Sequence, residues 1–255
     1  MFDISVEKIK QWRPPAITTG LIPFVIILGL ATHHETLQLT PDALFKINLN
    51  KLSFYPLVFA NIWHFVLGML LFTPFCGAFE IENGTVRTGV VLNVVAVIPG
   101  VLSNVIAKVS GDRLAGAAFC GPTSWIAALA AFLSVSSWTL PVIPVGSHIV
   151  SIPAWILPLT GYFVTGAFAP QFLVIHGLSL VMGYGLGLLY LDFLVAGTTT
   201  PVEWIETKIE KVIQGLRYIV HFVTEVEARD LRRNSLVARR RSMEADAGIP
   251  MPAAS

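Results

Sequence analysis

The sequence is short of charge, and what charge it has is badly distributed for a water-soluble domain. Of its 255 residues, 13% are Asp, Glu, Lys or Arg, about half the usual fraction of about 25%. Between Pro14 and Thr200 the only Lys and Arg are Lys46, Lys51, Arg87, Lys108 and Arg113, and the only acids are Glu35, Asp42, Glu80, Glu82, Asp112 and Asp192. Cysteine is nearly missing: Cys76 and Cys120 both fall in or beside apolar stretches, so a disulfide framework is not expected and both read as small apolar filler. A cleavable leader is not expected either. Residues 1–15 are polar, and the first apolar run has no small-residue cleavage pattern, which makes it an uncleaved anchor.

What is present is apolar sequence in repeated lengths. Hydrophobic residues make up 54% of the chain and mean hydropathy is +0.70. The polar clusters leave uninterrupted runs of roughly 17–25 residues, enough to cross a hydrocarbon core of about 30 Å as helix. The runs are Ala16–Thr32, Tyr55–Ala78, Thr88–Ala107, Ala115–Val135, Ile149–Phe168 and Gln171–Val195. This predicts an all-α, multi-pass membrane protein of six transmembrane helices over residues 16–195, with the bilayer as its first partner.

Basic residues in short loops set orientation. Taking the runs alternately, one side holds Lys8, Lys10, Arg13, Arg87 and the arginine-rich C-terminus; the other holds Lys46, Lys51, Lys108 and Arg113. Both termini, including residues 1–15, are therefore expected in the cytosol. The sequon Asn83-Gly84-Thr85 then falls in a cytosolic turn and reads as a chance match.

Beyond the last run, residues 201–223 place Trp204, Ile205, Ile209, Val212, Leu216 and Val220 on one helical face, and Glu203, Glu206, Lys208, Glu210 and Lys211 on the other. That pattern predicts an amphipathic helix lying in the cytosolic interface. Residues 225–255 are polar and basic, without periodicity after Arg241, and a disordered tail is expected there. Its arginine clusters beside Ser235 and Ser242 suit anionic lipid, a cytosolic partner or phosphorylation. Nothing in the pattern points to nucleic acid.

Polar side chains within apolar runs are costly and face the interior of a bundle. Three places qualify: His64 in the second run, Thr123 and Ser124 in Gly121-Pro122-Thr123-Ser124-Trp125, and His176 in the sixth. His176 is followed by Ser179, Gly183 and Gly187. Ser179, Gly183 and Gly187, at four-residue spacing, make a smooth stripe that lets a neighbouring helix approach to backbone contact. Were that neighbour the fourth run, an imidazole would meet a hydroxyl, a base beside a nucleophile. A structural hydrogen bond is the alternative reading of the same residues. Trp63 and Trp125 flank the polar groups and would wall a cavity there or act as aromatic filler.

On these residues the chain resembles the rhomboids, and among them the fungal Golgi-type rhomboid protein 2 group. The resemblance runs from Pro14–Gly20 through Leu52–Leu57, His64, Glu80, Asn83–Thr85, Gly121–Trp125 and His176 to Thr207–Lys211. It implies a six-helix intramembrane serine protease working through a Ser–His dyad, with no metal or other cofactor, in a Golgi or endoplasmic reticulum membrane. By that resemblance His176 is the base, His64 an oxyanion donor and Thr123 stands at the nucleophile position. The chain departs from the family at Thr123 itself, at Ser124 in place of a glycine, at Pro122, and at Gly68 where a donor Asn is expected. A pseudoprotease that binds transmembrane client segments is the expected function, and an active Thr/Ser–His endopeptidase the alternative.

Overall fold

The computed structural model describes residues 15–110, 118–136, 139–145, 148–189, 204–209, 222–224 and 226–231. Eight helices carry most of it: α1 (Ala16–Ala31), α2 (His34–Leu37), α3 (Leu49–Phe54), α4 (Ile62–Asn83), α5 (Thr85–Ser110), α6 (Thr123–Ser136), α7 (Ile156–Phe168) and α8 (Leu173–Leu188). One-turn 3₁₀ segments, Tyr55–Leu57 and Pro170–Phe172, precede α4 and α8. Ile62–Asn83, Thr85–Ser110 and Pro170–Leu188 are each long and apolar enough to cross a bilayer, with mean hydropathies of 1.7, 2.2 and 1.5. Three shorter apolar helices, α1, α6 and α7, accompany them.

Each expected run contains a helix, but the ends move for identifiable reasons. The second helix starts at Ile62 rather than Tyr55 because Pro56 lies in a 3₁₀ turn and the Asn61 side chain caps the helix, accepting from His64 N–H at 2.8 Å. The fourth starts at Thr123, after described residues 118–122 that are not helical, and residues 115–117 of the expected run lie outside the described residues. Ahead of it Phe119 forms an antiparallel bridge with Leu39, both hydrogen bonds 2.8 Å, and Gly121 turns with φ +97°, a conformation natural to glycine. The fifth starts at Ile156 rather than Ile149, since Thr139–Val145 and His148–Pro153 pair as an antiparallel hairpin. The sixth helix ends at Leu188, and residues 190–195 of the expected run lie outside the described residues. At 14 and 13 residues, α6 and α7 reach only about 20 Å. Irregular backbone at membrane depth is tolerated where protein buries it, and Phe119 and Trp125 are buried here.

Helix α6 sits centrally, packed along α8 and also against α4, α5 and α7. Small residues permit the closest of these approaches. A Cβ on Gly183 would come within 2.8 Å of the Ala128 carbonyl carbon and Cα, and nearer still to its oxygen. One on Gly187 would meet Val135 Cβ at 3.1 Å. The partner of the Ser179–Gly183–Gly187 stripe is therefore the fourth expected span.

A second polar node ties the opposite ends of the helices together. Glu80 is fully buried and accepts from Ile17 N–H (2.9 Å), Thr18 N–H (3.0 Å), Thr18 Oγ1 (2.9 Å) and Thr85 Oγ1 (2.8 Å). It thus serves two free amides at the N-terminus of α1. Thr85 also holds the C-terminal segment, its N–H donating to Val223 O at 2.8 Å and its Oγ1 accepting from Val223 N–H at 3.0 Å. Asn83 of the sequon is 4% exposed, with its amide donating to Phe79 O.

Of the expected interfacial helix, residues 204–209 are helical and 210–221 lie outside the described residues, as do Ser235, Ser242 and the arginine clusters beside them; residues 226–231, expected to belong to a disordered tail, are instead helical, with Ala228 buried. Trp204 is exposed, while Glu206 is buried rather than on an outward polar face. Cys76 and Cys120 are free.

Candidate active site

Two helices that meet at small residues carry the central pair. Thr123 is the first residue of α6, and His176 lies in the first turn of α8, three residues before buried Ser179. His176 Nε2 and Thr123 Oγ1 are 2.9 Å apart. At that distance an unprotonated Nε2 can accept a hydroxyl proton, the contact by which an imidazole activates a hydroxyl nucleophile. His176 is 6% exposed. Its ring meets Phe119 edge-on with centroids 5.4 Å apart, and Phe172 lies at 6.3 Å.

Ser124 points elsewhere. It is fully buried, and its hydroxyl lies 3.3 Å from Tyr55 Oη, to which it can donate. One residue along a helix turns a side chain by about 100°, which is why neighbours in sequence serve different faces. Tyr55 donates to Ala96 O at 3.2 Å, and its backbone carbonyl accepts from Gly121 N–H at 2.9 Å. Tyr55 therefore pins the turn that presents Thr123 from both its backbone and its ring.

His64 stands on the other side of that turn. Its Nδ1 accepts from Ala60 N–H at 3.4 Å, which leaves Nε2 to carry the proton. The Nε2 edge faces Gly121, where an added Cβ would come within 2.5 Å of His64 Cε1. The structure thus brings Thr123, His176 and His64 around one turn and sets Ser124 apart.

Gly68 and Pro122 are packed together. A Cβ on Gly68 would lie 2.9 Å from Phe59 Cε1, 3.1 Å from Pro122 Cγ and 3.3 Å from Pro122 Cδ. The proline ring and Phe59 fill the room that a longer side chain at position 68 would need. Pro122 has no N–H to donate, and its carbonyl accepts the first helical bond of α6, from Ile126 N–H at 2.8 Å.

Beside Thr123 and His176 opens an apolar cleft of about 470 Å³ between α4, α6, α7 and α8. Neither tryptophan walls it. Trp63 is exposed, and Trp125 is buried against Phe72 with its indole N–H donating to Leu92 O at 2.7 Å. Among the described residues no cluster of three or more His, Cys, Asp or Glu could hold a metal ion.

Sequence reasoning named the dyad and His64 but not Tyr55 or Phe119 as their supports. A tyrosine and a phenylalanine among 16 Phe and 5 Tyr carry no local signal of such a role. The pairing of Phe119 with Leu39, 80 residues away in sequence, is visible only in the fold.

Residues 47–196 match the family model described as Rhomboid domain. Three curated fungal relatives, each named Rhomboid-type serine protease 2, match most of the chain. The one from Yarrowia lipolytica is 32% identical over 92% of this chain and 81% of its own length. The Saccharomyces cerevisiae protein is 32% identical over 80% and 78%, and that of Neurospora crassa is 31% identical over 85% and 76%. With the family match, these identities and the helical membrane architecture in agreement, this chain belongs to the rhomboid family of membrane proteins.

Proposed function

We propose that this chain is a catalytically impaired rhomboid, a pseudoprotease that binds transmembrane segments of client proteins and directs their trafficking or degradation. The observation that carries this reading is the packing of Pro122 and Phe59 against Gly68. Position 68 has no side-chain donor, and position 122 has neither an amide to offer nor space to spare. Removing one oxyanion donor typically lowers a rate by about 10²–10³, or roughly 3–4 kcal/mol, and two are missing at once. Thr123 adds a methyl group beside the attacking oxygen and is restricted at χ1, which crowds approach to a peptide carbonyl.

A second reading has its own support. The 2.9 Å contact between Thr123 and His176 is the geometry of an active hydroxyl–imidazole pair, and His64 keeps an Nε2 donor at the turn. On that reading the chain is an intramembrane endopeptidase with Thr123 as nucleophile, His176 as base and His64 as oxyanion donor.

In either case the reading keeps six spans over residues 16–195 from the lengths of the apolar runs, both termini in the cytosol from the loop charges, residues 201–223 at the interface from their amphipathic spacing, and residues 225–255 as a basic C-terminal segment. Golgi or endoplasmic reticulum membrane is the proposed compartment. The deciding experiment assays purified wild type, His176→Ala and a variant carrying Thr123→Ser, Ser124→Gly, Pro122→Ala and Gly68→Asn on a fluorogenic transmembrane substrate. A silent wild type beside an active restored variant supports the pseudoprotease. Cleavage by wild type that disappears in His176→Ala refutes it and supports the protease.

A further inference from the structure

The hairpin that joins α6 to α7 leaves the bundle at the end opposite Thr123 and His176. Its strands are β1 (Thr139–Val145) and β2 (His148–Pro153). Among the described residues they pack on each other and, beyond that, chiefly on α7 through β2. Two contacts fix the level at which they leave. At the foot of β2 the Trp155 carbonyl accepts from Tyr184 Oη at 2.5 Å, and Tyr184 lies one helical turn before the end of α8 at Leu188. At the foot of β1, α6 ends at Ser136, where Val135 lies against Gly187. Pro170–Leu188 is long enough to cross a bilayer, so both strands start within about 5 Å, one turn, of the level where that span ends.

A two-stranded hairpin is marginally stable at best when it stands alone in water, and this one has no charge to keep it there. From Leu114 to Leu191 the sequence contains no Asp, Glu, Lys or Arg, where an average soluble chain has about one in four residues charged. The register divides the hairpin into two unlike faces, because alternate pairs of a ladder share a side. Leu140–Ile152, Ile143–Val150 and Val145–His148 fall on one side; Thr139–Pro153, Pro141–Ser151 and Pro144–Ile149 fall on the other. The irregularity between Pro141 and Ile143 adds one residue to β1 and so brings Ile143 onto the side of Leu140. The first side is aliphatic except at the tip, and the second carries three prolines with a threonine and a serine. Those prolines also have no N–H to offer a third strand, which makes the hairpin a poor template for an added peptide. Lipid is the better fit. Trp155 and Leu157, just beyond β2, are exposed and continue the apolar surface that the spans turn to the bilayer, and tryptophan favours the membrane–water boundary.

We propose that the hairpin Thr139–Pro153 is a lipid-binding anchor that lies in the headgroup layer at the end of the bundle away from Thr123 and His176. The side holding Leu140, Ile143, Val145, Val150 and Ile152 rests on the acyl chains, and the side holding Thr139, Pro141 and Ser151 meets water and headgroups. The hairpin goes no deeper, because the outer edges of both strands carry unpaired N–H and C=O groups that hydrocarbon cannot satisfy. Headgroups and their water can. The anchor serves a pseudoprotease and a protease alike, so it stands whichever way the dyad is settled.

The test uses full-length protein in phosphatidylcholine nanodiscs, with Cys76→Ala, Cys120→Ala and one new cysteine carrying a small fluorophore, each variant checked for native elution. Two quenchers are compared: a nitroxide on the acyl chain just below the ester, and iodide in the water, which reaches both faces of a nanodisc. Labels at Ile143→Cys, Val150→Cys and Ile152→Cys are expected to be quenched by the nitroxide lipid and shielded from iodide. Labels at Thr139→Cys and Ser151→Cys are expected to show the reverse. Adding Leu140→Glu and Ile143→Glu should lift the face off the acyl chains, so that the label at Ile152→Cys loses nitroxide quenching and gains iodide quenching. Equal iodide quenching of both sets would put the hairpin in water and overturn the proposal. So would a first set that neither quencher reaches, which would mean that protein covers the face, or equal nitroxide quenching of both sets, which would mean that the hairpin has no water-facing side.

Discussion

The tight approach of α6 and α8 can be tested with a pair of glycines two residues apart on the same helix. In Gly183→Ala the new Cβ would meet the Ala128 backbone carbons at 2.8 Å. Carbon atoms prefer about 3.5–4.0 Å, so the helices must separate by at least about 0.7 Å at that point, the Ala128 oxygen lying nearer still. The obstacle is main chain rather than the end of a flexible side chain, so a rotamer change cannot relieve it, and overpacking of this kind costs about 1–3 kcal/mol. In Gly185→Ala the added methyl meets nothing within 4 Å. Both variants gain the same helix propensity, about 0.5–1 kcal/mol for glycine to alanine, so the difference between them isolates the clash. At about 2–4 °C per kcal/mol for a chain of this size, Gly183→Ala should melt about 2–12 °C below Gly185→Ala. The measurement is intrinsic fluorescence against temperature in one detergent, with elution profiles checked. The separation would also stretch the Thr123–His176 contact beyond hydrogen-bonding distance, so whatever activity wild type shows should fall in Gly183→Ala and persist in Gly185→Ala. Equal melting temperatures, or a lower one for Gly185→Ala, would refute the assigned helix contact.

Three further outcomes are expected. Glu80→Ala should be strongly destabilising in the same melt, because it strands the Ile17 and Thr18 amides and two threonine hydroxyls at about 1–3 kcal/mol for each buried group; Glu80→Gln, which keeps an acceptor, should lose less. Gly68→Asn alone should lower the melting temperature by overpacking against Phe59 and Pro122, and adding Pro122→Ala should recover part of the loss, giving a favourable coupling in a double-mutant cycle. Additive effects would mean that the two sites do not touch. The Asn83 sequon should remain unmodified in a eukaryotic host, so endoglycosidase treatment should leave electrophoretic mobility unchanged.

Backbone polar groups in hydrocarbon must be satisfied within the segment, so a run of apolar residues of bilayer length has little choice but helix. For that reason the helices were legible in composition alone. So was the stripe at Ser179, Gly183 and Gly187, because a surface without side chains has no other use at that spacing. Where the helix ends fell was not legible. Tyr55 and Phe119 are as apolar as their C-terminal neighbours, and only the Asn61 cap, the Leu39–Phe119 bridge and the positive φ at Gly121 start α4 and α6 later. The hairpin over Thr139–Pro153 was hidden for the same reason, since a short apolar stretch does not announce its period.

The site divides along the same line. The residue types Thr123, His176 and His64 could be named in sequence because ionisable and hydroxyl groups at membrane depth are rare enough to stand out. That Thr123 rather than Ser124 faces His176 depends on the rotation of α6, which the tertiary packing of α8 against Ala128 sets. That Pro122 and Phe59 occupy the room beside Gly68 is a contact across three separate segments, and no local pattern encodes it. Sequence therefore determined which chemical groups the chain has to work with; the packing of α6 between α4 and α8 decided which of them meet.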